Sequence, residues 1–415
     1  MAVGLELKCE PEEAKKVIYE TIDKVSPELR EISLDLHNNP ETSMNEHHAS
    51  QVLADYVEKK GFKVTRKVFG METSFRAEFG DETNGGRRIG FCSEYDALPG
   101  LGHACGHNLI AISGVASALA VKALLESGKA SGKVILYGTP SEELLSGKIV
   151  MMNHGAFKDI DVCLMLHPAN AHANYVSFSA LQDVKVEYRG KPAHAGGAPW
   201  NGSVNALDAI CQAWVSIGLL RQQLQSHDRV HGIITDGGKA PNIIPDYTAG
   251  HFYVRSNSAV RVEEIKEKVD NCFRAAALAT GTQVTMKWRD IGTCKNIVQN
   301  PVLAETYAKY LKEFGHEVPS RQIQEATLFC FLLDFGNVSY TMPGLHPLYS
   351  IGVSDFPHTA GFANATCTEE AHKATIEAAK SLSMVAAHTL LDKSFYESSK
   401  QEFEDNVPVN MRKNY

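Results

Sequence analysis

Three short, almost wholly apolar segments separated by helical segments constrain the fold of this chain more than any other feature. The segments are Arg88–Ser93, Lys133–Tyr137 and Val162–His167. Strands that are buried on both faces have this composition, and two parallel strands need a crossover such as a helix between them. The sequence therefore predicts an α/β domain built on a mainly parallel sheet with helices on its faces.

Apolar residues at helical spacing surround these strands. They predict a helix over Glu12–Leu36, which we expect Pro27 to break into two pieces, and a second helix over Glu46–Lys60. A third predicted helix, Cys105–Glu126, is rich in alanine and begins in a glycine-rich turn. These helices supply the cover that a buried parallel sheet needs.

The pattern changes in the middle of the chain. Two strand–helix–strand halves follow each other there, with predicted helices over Val204–Gln225 and Val262–Thr280. That order is typical of a small ferredoxin-like α+β sandwich. We therefore predict an insertion, 175–290, in a domain made of residues 1–174 and 291–397. The polar residues 398–415 lack periodicity, and we expect them to form a peripheral tail.

Composition excludes several classes of protein. The 415 residues include 41 Lys and Arg against 49 Asp and Glu, so the formal net charge is −8 and nucleic-acid binding is not expected. The apolar run 109–121 is too short to span a bilayer, and the charged N-terminus does not resemble a signal peptide, so no membrane partner is expected. Nine widely spaced cysteines without a Cys-x-x-Cys pair indicate reduced thiols and a cytoplasmic protein.

The segment SEYDALPGLGHACGHN, residues 93–108, follows a predicted strand and opens a predicted helix, which is where α/β proteins bind ligands. Its GLGHAC run resembles a dinucleotide-binding fingerprint but lacks the third glycine. Cys105 and His107 remain, and a thiolate with an imidazole can hold zinc or a similar divalent ion. A nucleophilic Cys/His pair or a purely structural turn would leave the same motif.

Further candidate ligands follow the other apolar strands. Glu142 and Glu143 form a carboxylate pair just after one strand, and His167 ends the next. His358 lies in a distant loop. Surface acid pairs and strand-end histidines are common without any function. Here they are predicted at one edge of the sheet, where one carboxylate can bind a metal and its neighbour can take a proton from water.

Together these motifs supply a thiol, three imidazoles and a carboxylate, which suffice for two metal ions that share a bridging ligand. Two ions about 3.5–4 Å apart can generate a hydroxide and polarise a carbonyl at the same time. The sequence has no Gly-x-Ser-x-Gly nucleophile elbow, no phosphate-binding loop and no His-Glu-x-x-His motif. The motifs therefore favour two-metal chemistry over these other templates.

The order of the motifs resembles that of the M20 metallopeptidases, and of their amidohydrolase branch, subfamily D, in particular. The likeness runs from about Leu36 to His388. It is carried by LHNNPE at 36–41, EYDALP at 94–99, GHACGHN at 102–108, GKPAHA at 190–195, PNIIPD at 241–246 and DFGNVS at 334–339. The resemblance implies a zinc-peptidase-like catalytic domain with an inserted lid and dimerisation domain.

The resemblance also implies roles for single residues. Two divalent ions, zinc or manganese, are expected on five ligands, with the cysteine as the bridge: Cys105, His107, Glu143, His167 and His358. Glu142 corresponds to the general base that takes a proton from water and returns it to the leaving amine, for which its pKa must rise toward neutrality. Asp96 corresponds to a carboxylate that steadies a ligand. Glu94 stands where many members of the wider family carry a metal-binding histidine.

In the lid, the resemblance implies that His194 stabilises negative charge on the scissile carbonyl, often from the partner subunit. Asn242 and Arg255 match residues that hold a substrate carboxylate or carbonyl, and a guanidinium can bind a carboxylate through two hydrogen bonds. A turn asparagine and a surface salt-bridge arginine are the ordinary alternatives. We expect a homodimer formed through the lid.

One segment departs from the family pattern. Where relatives have small polar residues before the DFGNVS motif, this chain has the bulky apolar run 328–333. Repacking of a core segment, a more apolar pocket and a damaged active site are the alternative explanations.

We therefore expect a metal-dependent amidohydrolase or peptidase that cleaves the amide bond of a small N-acyl amino acid or dipeptide. One alternative is an amide-forming or acyl-transfer enzyme on the same scaffold, which the apolar run would favour if it excludes water. The other is a catalytically silent homologue that acts as a regulatory or binding subunit.

Overall fold

The computed structural model describes residues 9–81, 86–326, 328–329 and 333–412. These residues form two compact units. The larger unit comprises the described residues up to Ser177 and from Ile297 onward, and the inserted unit spans Phe178–Asn296.

Helices and strands alternate along most of the chain. Before the insertion they are α1 (Pro11–Asn38), α2 (His47–Lys59), β1 (Lys63–Arg66), β2 (Phe75–Gly80), β3 (Arg87–Ser93), α3 (His107–Glu126), β4 (Gly132–Gly138), α4 (Glu142–Leu145), α5 (Gly147–Asn153), β5 (Val162–Leu164) and β6 (His167–Ala169). After the boundary strand β7 (Ser177–Phe178), the inserted unit contains β8 (Ala180–Arg189), β9 (Ala193–His194), α6 (Ala206–Leu220), a 3-10 turn (Arg221–Gln223), β10 (Arg229–Asp236), β11 (Ile243–Ile244), β12 (Tyr247–Ser256), α7 (Ala259–Thr280) and β13 (Gln283–Trp288). The larger unit resumes with α8 (Pro301–Lys312), α9 (Arg321–Ala326), β14 (Leu328–Phe329), α10 (Phe335–Ser339), β15 (Gly344–Leu345), β16 (Leu348–Ser350), α11 (Ala360–Ala365), α12 (Glu369–Leu391), α13 (Lys393–Asn406) and α14 (Val409–Arg412).

The larger unit is built on a six-stranded sheet in the order β1-β2-β4-β3-β5-β15. The four strands from β4 to β15 run parallel, while β1 and β2 are antiparallel additions at one edge. In the register, Phe91 of β3 lies between Leu136 of β4 and Leu164 of β5, and all three are fully buried. The predicted α/β class with a mainly parallel sheet is confirmed.

Helix α3 is the core helix of the larger unit. It packs against α1, α12 and β3, and nearly all of its residues are buried. Among the described helices, α3 alone is long and apolar enough to cross a membrane by length and composition, although 89% of its most apolar window is buried within the protein. The apolar run 109–121 lies within this helix, whose observed bounds are close to the predicted Cys105–Glu126.

The inserted unit is a four-stranded antiparallel sheet in the order β10-β12-β8-β13. Burial alternates strictly along β12, because helices α6 and α7 pack against one face of the sheet. The chain order strand–helix–strand–strand–helix–strand with this strand order is ferredoxin-like. The predicted α+β class of the insertion is confirmed.

The predicted break at Pro27 is wrong, because α1 continues unbroken from Pro11 to Asn38. An internal proline costs a helix about 3 kcal/mol. On either side of Pro27, however, α1 buries Ile22, Val25 and Leu29 against the core. Burial of that stripe offsets the cost, since each such side chain contributes about 1.5–3 kcal/mol.

The residues predicted to form a peripheral tail are mostly helical in their described part. Helix α13 packs against α8 and α12 as part of the larger unit. Ser399 is fully buried, and its carbonyl accepts a hydrogen bond from the side chain of Asn300 at 2.7 Å. The helix is polar, so apolar periodicity misses it, but Asp392 caps its N-terminus through Ser394 and Phe395.

Candidate metal centre

The carboxyl ends of three neighbouring strands lead to most of the predicted site residues. Strands β4, β3 and β5 lie side by side and run parallel, so the chain leaves all three at the same edge. Glu94 and Asp96 follow β3. Glu142 and Glu143 follow β4, and His167 begins β6, three residues after β5. Open α/β sheets bind their ligands at this edge.

A glycine determines the turn that carries Cys105 and His107. Gly106 has φ +82°, and a Cβ there would lie 2.5 Å from Cγ of Pro168. Glycine alone adopts this conformation without strain and leaves room for the proline ring. The turn brings the Cys105 thiol and the first residue of α3, His107, to donor atoms of His167.

Two other site segments are held in the left-handed region of the backbone. Ser141, directly before Glu142, has φ +64°, and His358 has φ +69°. The N–H of His358 donates to the carbonyl of Ala104 at 2.8 Å, which holds the distant loop against the Cys105 turn. Non-glycine residues in this region cost about 1–3 kcal/mol and cluster at active sites.

The five predicted ligands form two overlapping groups. Donor atoms of Cys105, His107 and His167 lie within 4.8 Å of one another, and so do those of Cys105, Glu143 and His358. The Cys105 sulfur is 3.5 Å from Nε2 of His167. Oε1 of Glu143 is 3.3 Å from Nε2 of His358. Cys105 belongs to both groups, which is the position of a bridging ligand.

Asp96 orients a residue of each group. Its Oδ1 accepts a hydrogen bond from Nδ1 of His107 at 3.0 Å, and its Oδ2 accepts one from the backbone N–H of Glu143 at 3.0 Å. With the proton on Nδ1, Nε2 of a neutral His107 is the atom that can bind a metal. Burial raises the pKa of Asp96, but the charge of His107 and these hydrogen bonds lower it below its usual value.

The two buried imidazoles have opposite pKa shifts. Burial lowers the pKa of His107, but the neighbouring carboxylates, Asp96 above all, raise it to about 10. Burial and the charge of His107 lower the pKa of His167 to about 4. Nδ1 of His167 donates to the carbonyl of Pro168 at 2.8 Å, so its Nε2 presents a lone pair toward Cys105.

The chemistry of the cluster fits divalent cations. Oε2 of Glu94 and Nε2 of His107 are buried and have no hydrogen-bond partner among the described residues. Burial and the nearby carboxylates raise the pKa of the Cys105 thiol well above its usual value. A bound cation would accept the lone pairs of Glu94 and His107. It would also lower the pKa of the Cys105 thiol and so stabilise the thiolate.

Glu142 is buried beside the ligands, with 7% of its surface exposed. Its carboxylate lies within 4.8 Å of donor atoms of His107 and Glu143. Burial raises the pKa of Glu142 well above its usual value, and the charges of Glu94 and Glu143 raise it further. A carboxylate with a raised pKa can take a proton and return it near neutral pH, as a general base must.

Sequence reasoning missed a buried ion network next to Glu142. The fully buried ammonium of Lys148 donates to Glu94 and, at 2.7 Å, to Oδ1 of Asp334. The backbone N–H of Lys148 donates to Oδ2 of Asp334 at 2.8 Å. Asp334 opens the DFGNVS motif, which is a sequence signal, whereas nothing in the sequence distinguishes Lys148 from a surface lysine.

In the inserted unit, His194 and Asn242 are neighbours. His194 lies on β9 opposite Ile243 of β11, and the carbonyl of Asn242 accepts a hydrogen bond from the N–H of Ala195 at 2.9 Å. The N–H of Gly196 donates to Nδ1 of His194 at 3.2 Å, so the neutral ring carries its proton on Nε2. The exposed ring thus presents a donor, which is what stabilisation of an oxyanion requires.

Arg255 lies at the opposite end of the inserted sheet. It is next to the last residue of β12, whereas Tyr247 begins β12 and pairs with Arg189, five residues before His194. Eight residues of strand separate the two ends, which is about 26 Å. Within one chain, His194 and Asn242 are therefore neighbours, whereas Arg255 is far from both.

A basic groove surrounds Arg255. The groove has a volume of about 680 Å³, and its lining includes Arg221, Arg229 and His231 together with one carboxylate, that of Asp228. Arg229 lies directly opposite Arg255 on the neighbouring strand. Cationic side chains grouped in this way attract carboxylates.

The apolar run that departs from the family pattern is described only in part. Leu328 and Phe329 form β14, and Leu333 is buried. Residues 330–332 lie outside the described residues, so the three explanations of the run stay predictions.

Comparisons with known proteins decide the family. Residues 179–280 match the M20 profile described as "Peptidase dimerisation domain". The chain is 40% identical to the Xaa-Arg dipeptidase of Mus musculus, over 97% of this chain and 94% of that protein. The chain belongs to the M20 metallopeptidase family.

Two more relatives of this M20 protein are informative. It is 32% identical to a p-aminobenzoyl-glutamate hydrolase subunit of Escherichia coli, over 73% of this chain and 66% of that protein. Its fold matches that of a dinuclear metal-binding M20 peptidase from Bacillus subtilis with a TM-score of 0.67, at 17% identity, over 88% of this chain and 99% of the other. The predicted metal-dependent hydrolase of amide bonds is confirmed, while the roles of the single site residues stay predictions.

Proposed function

We propose that this M20 enzyme is a dipeptidase, or a closely related aminoacylase, that cleaves the amide bond of a dipeptide or small N-acyl amino acid at a two-ion site. The observation that carries the proposal is the pair of ligand groups that share Cys105, with the buried carboxylate of Glu142 beside them. Because a relative covering almost the whole chain is named Xaa-Arg dipeptidase, dipeptides with C-terminal arginine are the first substrates to test.

Two groups of ligands hold the two ions. Cys105, His107 and His167 would hold one ion, and Cys105, Glu143 and His358 would hold the other. Bound there, divalent ions supply Lewis acidity, which lowers the pKa of water and polarises a carbonyl oxygen. Asp96 keeps Nδ1 of His107 protonated and thereby keeps Nε2 available as a ligand atom.

Glu142 moves the proton. Its carboxylate takes a proton from the attacking water and, when the C–N bond breaks, donates that proton to the leaving amine. Both transfers at neutral pH require a pKa above that of an ordinary glutamate, and burial with the neighbouring carboxylates raises the pKa of Glu142. His194 donates from Nε2 to the carbonyl oxygen as negative charge develops on it.

We propose that the enzyme is a homodimer formed through the inserted unit. His194 and Arg255 are about 26 Å apart along the strands of one chain, whereas a dipeptide spans only about 7 Å. If both residues act on one substrate, they must come from different chains. Exposed apolar side chains on α6 support this interface, since Leu219 is 74% exposed and Val215 is 56% exposed.

The donor set favours zinc or manganese as the ions. Thiolate and imidazole suit zinc, while carboxylate ligands suit manganese. Cys105 can bridge only as a reduced thiolate, so we also propose a reducing, cytoplasmic location.

Removal of metal and of the base tests this function. We expect a chelator to abolish release of arginine from Xaa-Arg dipeptides, and Zn²⁺ or Mn²⁺ to restore it. We expect Glu142→Gln to keep its bound ions and to lose kcat by about 10²–10⁴-fold. Mass spectrometry of products and elemental analysis of the protein measure both effects, with N-acyl amino acids and p-aminobenzoyl-glutamate as further substrates.

A matched control is Glu377→Gln, because Glu377 is another partly buried carboxylate of the larger unit, paired with His316 at 2.7 Å. It should keep the wild-type rate. Equal turnover by Glu142→Gln and wild type would show that Glu142 is not the base. Fewer than one ion per purified wild-type chain, with no turnover after metal addition, would favour a silent homologue.

A further inference from the structure

Two buried acceptor atoms face each other outside the set of five predicted ligands. Oε2 of Glu94 lies 3.4 Å from Nε2 of His107. Both side chains are at most 1% exposed, and neither atom has a hydrogen-bond partner among the described residues. Nδ1 of His107 already donates to Asp96. A carboxylate oxygen and an imidazole nitrogen that is not protonated repel each other at this distance, and a metal cation between them removes that repulsion.

The separation of the two atoms is that of ligands on one ion. Zinc binds histidine nitrogen at about 2.0–2.1 Å and carboxylate oxygen at about 2.0–2.2 Å in tetrahedral geometry. Two such bonds at a tetrahedral angle place the ligand atoms about 3.4 Å apart. The distance between Glu94 and His107 therefore matches a shared ion.

The other oxygen of Glu94 is held in place. Oε1 accepts a hydrogen bond from the buried ammonium of Lys148, which also donates to Asp334 at 2.7 Å. Glu94 cannot turn away from His107 without leaving this buried charge partner. Metal-binding carboxylates are commonly anchored in this way, with one oxygen on the ion and the other on a hydrogen-bond donor.

We propose that Glu94 is a further metal ligand, on the ion that His107 holds. The inference rests on the proposed two-ion function and makes the two ions unequal. One ion then has four protein ligands, which is typical of tightly held ions, and the other has three. His358, a ligand of the second ion, is also 41% exposed, so the second ion is the one that exchanges with solvent.

Metal titration of the whole protein tests the proposal. Apo protein is titrated with Zn²⁺ in competition with a chromophoric chelator, which yields the dissociation constants of the tight and weak sites. Loss of an outer hydrogen-bond partner weakens a metal site by about 10–100-fold, so Glu94→Gln should raise the Kd of the tight site by more than about 100-fold. The Kd of the weak site should change by less than about threefold.

Asp334→Asn is the matched control. Asp334 shares the Lys148 ammonium with Glu94, and the substitution makes the same change of charge. It should raise the Kd of the tight site by no more than about tenfold, as expected for an outer partner. Equal effects of the two substitutions would overturn the proposal, because Glu94 would then act only through Lys148.

A second measurement needs no variant. In crystals of the wild-type protein loaded with zinc, anomalous diffraction locates the ions. A distance of about 2.0–2.2 Å from zinc to Oε2 of Glu94 supports the proposal, and a distance beyond about 3 Å overturns it. Wild-type protein that binds no ions contradicts the proposed function itself, whereas two ions without Glu94 contradict only this inference.

Discussion

At the scale of the residue, Gly106 places two donor groups within reach of a third. Its φ of +82° turns the chain between Cys105 and His107, and the ring of Pro168 lies where a side chain would be. Pro168 directly follows His167, so a side chain at position 106 would displace one of three predicted ligands.

We predict that Gly106→Ala disrupts metal binding as well as stability. The backbone strain costs about 1–2 kcal/mol, and the contact of 2.5 Å with Pro168 forces the turn or β6 to move. The tight-site Kd for Zn²⁺ should rise by at least about tenfold, as when a metal ligand is misoriented. Titration of apo protein measures the change.

Gly128→Ala provides the control for backbone strain. Gly128 also has a positive φ, +71°, but a Cβ there meets nothing within 4 Å. It should lower the unfolding free energy by about 1 kcal/mol and leave zinc affinity unchanged. If both variants bind zinc as wild type does, the turn does not position the ligands.

At the scale of the element, Asp228 connects three segments of the inserted unit. Its Oδ2 accepts hydrogen bonds from the guanidinium of Arg261 on α7 and from the N–H of Gln225, and its Oδ1 accepts one from Ser256 of β12. Burial raises the pKa of Asp228, but Arg261 and the other donors lower it below its usual value. The buried carboxylate therefore stabilises the fold in its charged form.

We predict that Asp228→Asn lowers the free energy of unfolding of the inserted unit by about 2 kcal/mol at pH 7. Because the pKa of Asp228 is lower in the folded than in the unfolded chain, its contribution is complete above about pH 4 and is lost as the pH falls through the folded pKa. The difference in unfolding temperature between wild type and variant should therefore be largest at neutral pH and shrink in acid. Scanning calorimetry across this range measures it.

Glu264→Gln is the control that removes a similar charge from an exposed position instead of a buried one. Glu264 accepts a hydrogen bond from the same guanidinium at 2.7 Å, but its side chain is 56% exposed. Loss of this ion pair should lower the free energy of unfolding by less than about 0.5 kcal/mol at any pH, since exposed ion pairs contribute little. Equal destabilisation by both substitutions would contradict a special role for Asp228.

Two elements show where local patterns are insufficient. Pro27 predicts a break in α1, yet the apolar stripe around it is buried and keeps the helix continuous. Helix α13 is too polar to be recognised by periodicity, and it packs against α8 and α12. In both cases packing against sequence-distant helices outweighs the local preference.

At the scale of the whole molecule, the separation of His194 and Arg255 makes assembly a functional question. We predict that Leu219→Glu, which places a charge on the exposed apolar face of α6, converts the proposed homodimer into a monomer. The monomer should keep its metal content, but its kcat/KM should fall by at least about 10²-fold. Removal of one oxyanion donor, here His194 of the other chain, lowers the rate by about that factor. Light scattering and steady-state kinetics measure the two effects.

Leu278→Glu is the matched control on the other helix of the inserted unit. Leu278 is 87% exposed on α7, so the change in charge and exposure is similar. It should remain dimeric and active. A wild-type protein that is monomeric and fully active would contradict the role of the dimer.

Local patterns in the amino-acid sequence suffice to predict the fold class, the ferredoxin-like insertion and the five candidate ligands. Apolar periodicity reports which backbone conformation can bury a segment, and closely spaced motifs such as Cys105 and His107 report local chemistry. These are short-range properties, so they can be read without knowing which segments meet. The family resemblance assigned the ligand role to Glu143 and the base role to Glu142 within their pair, and it added Asp96 and the three residues of the lid.

Which distant residues meet is known only from the packed chain. Lys148 is 54 residues from Glu94 and 186 residues from Asp334, and its burial between them has no sequence signature. The same holds for the two acceptor atoms of Glu94 and His107, and for the strand that separates His194 from Arg255. Burial and the direction of a side chain depend on every element packed around it, and a local pattern cannot contain that information.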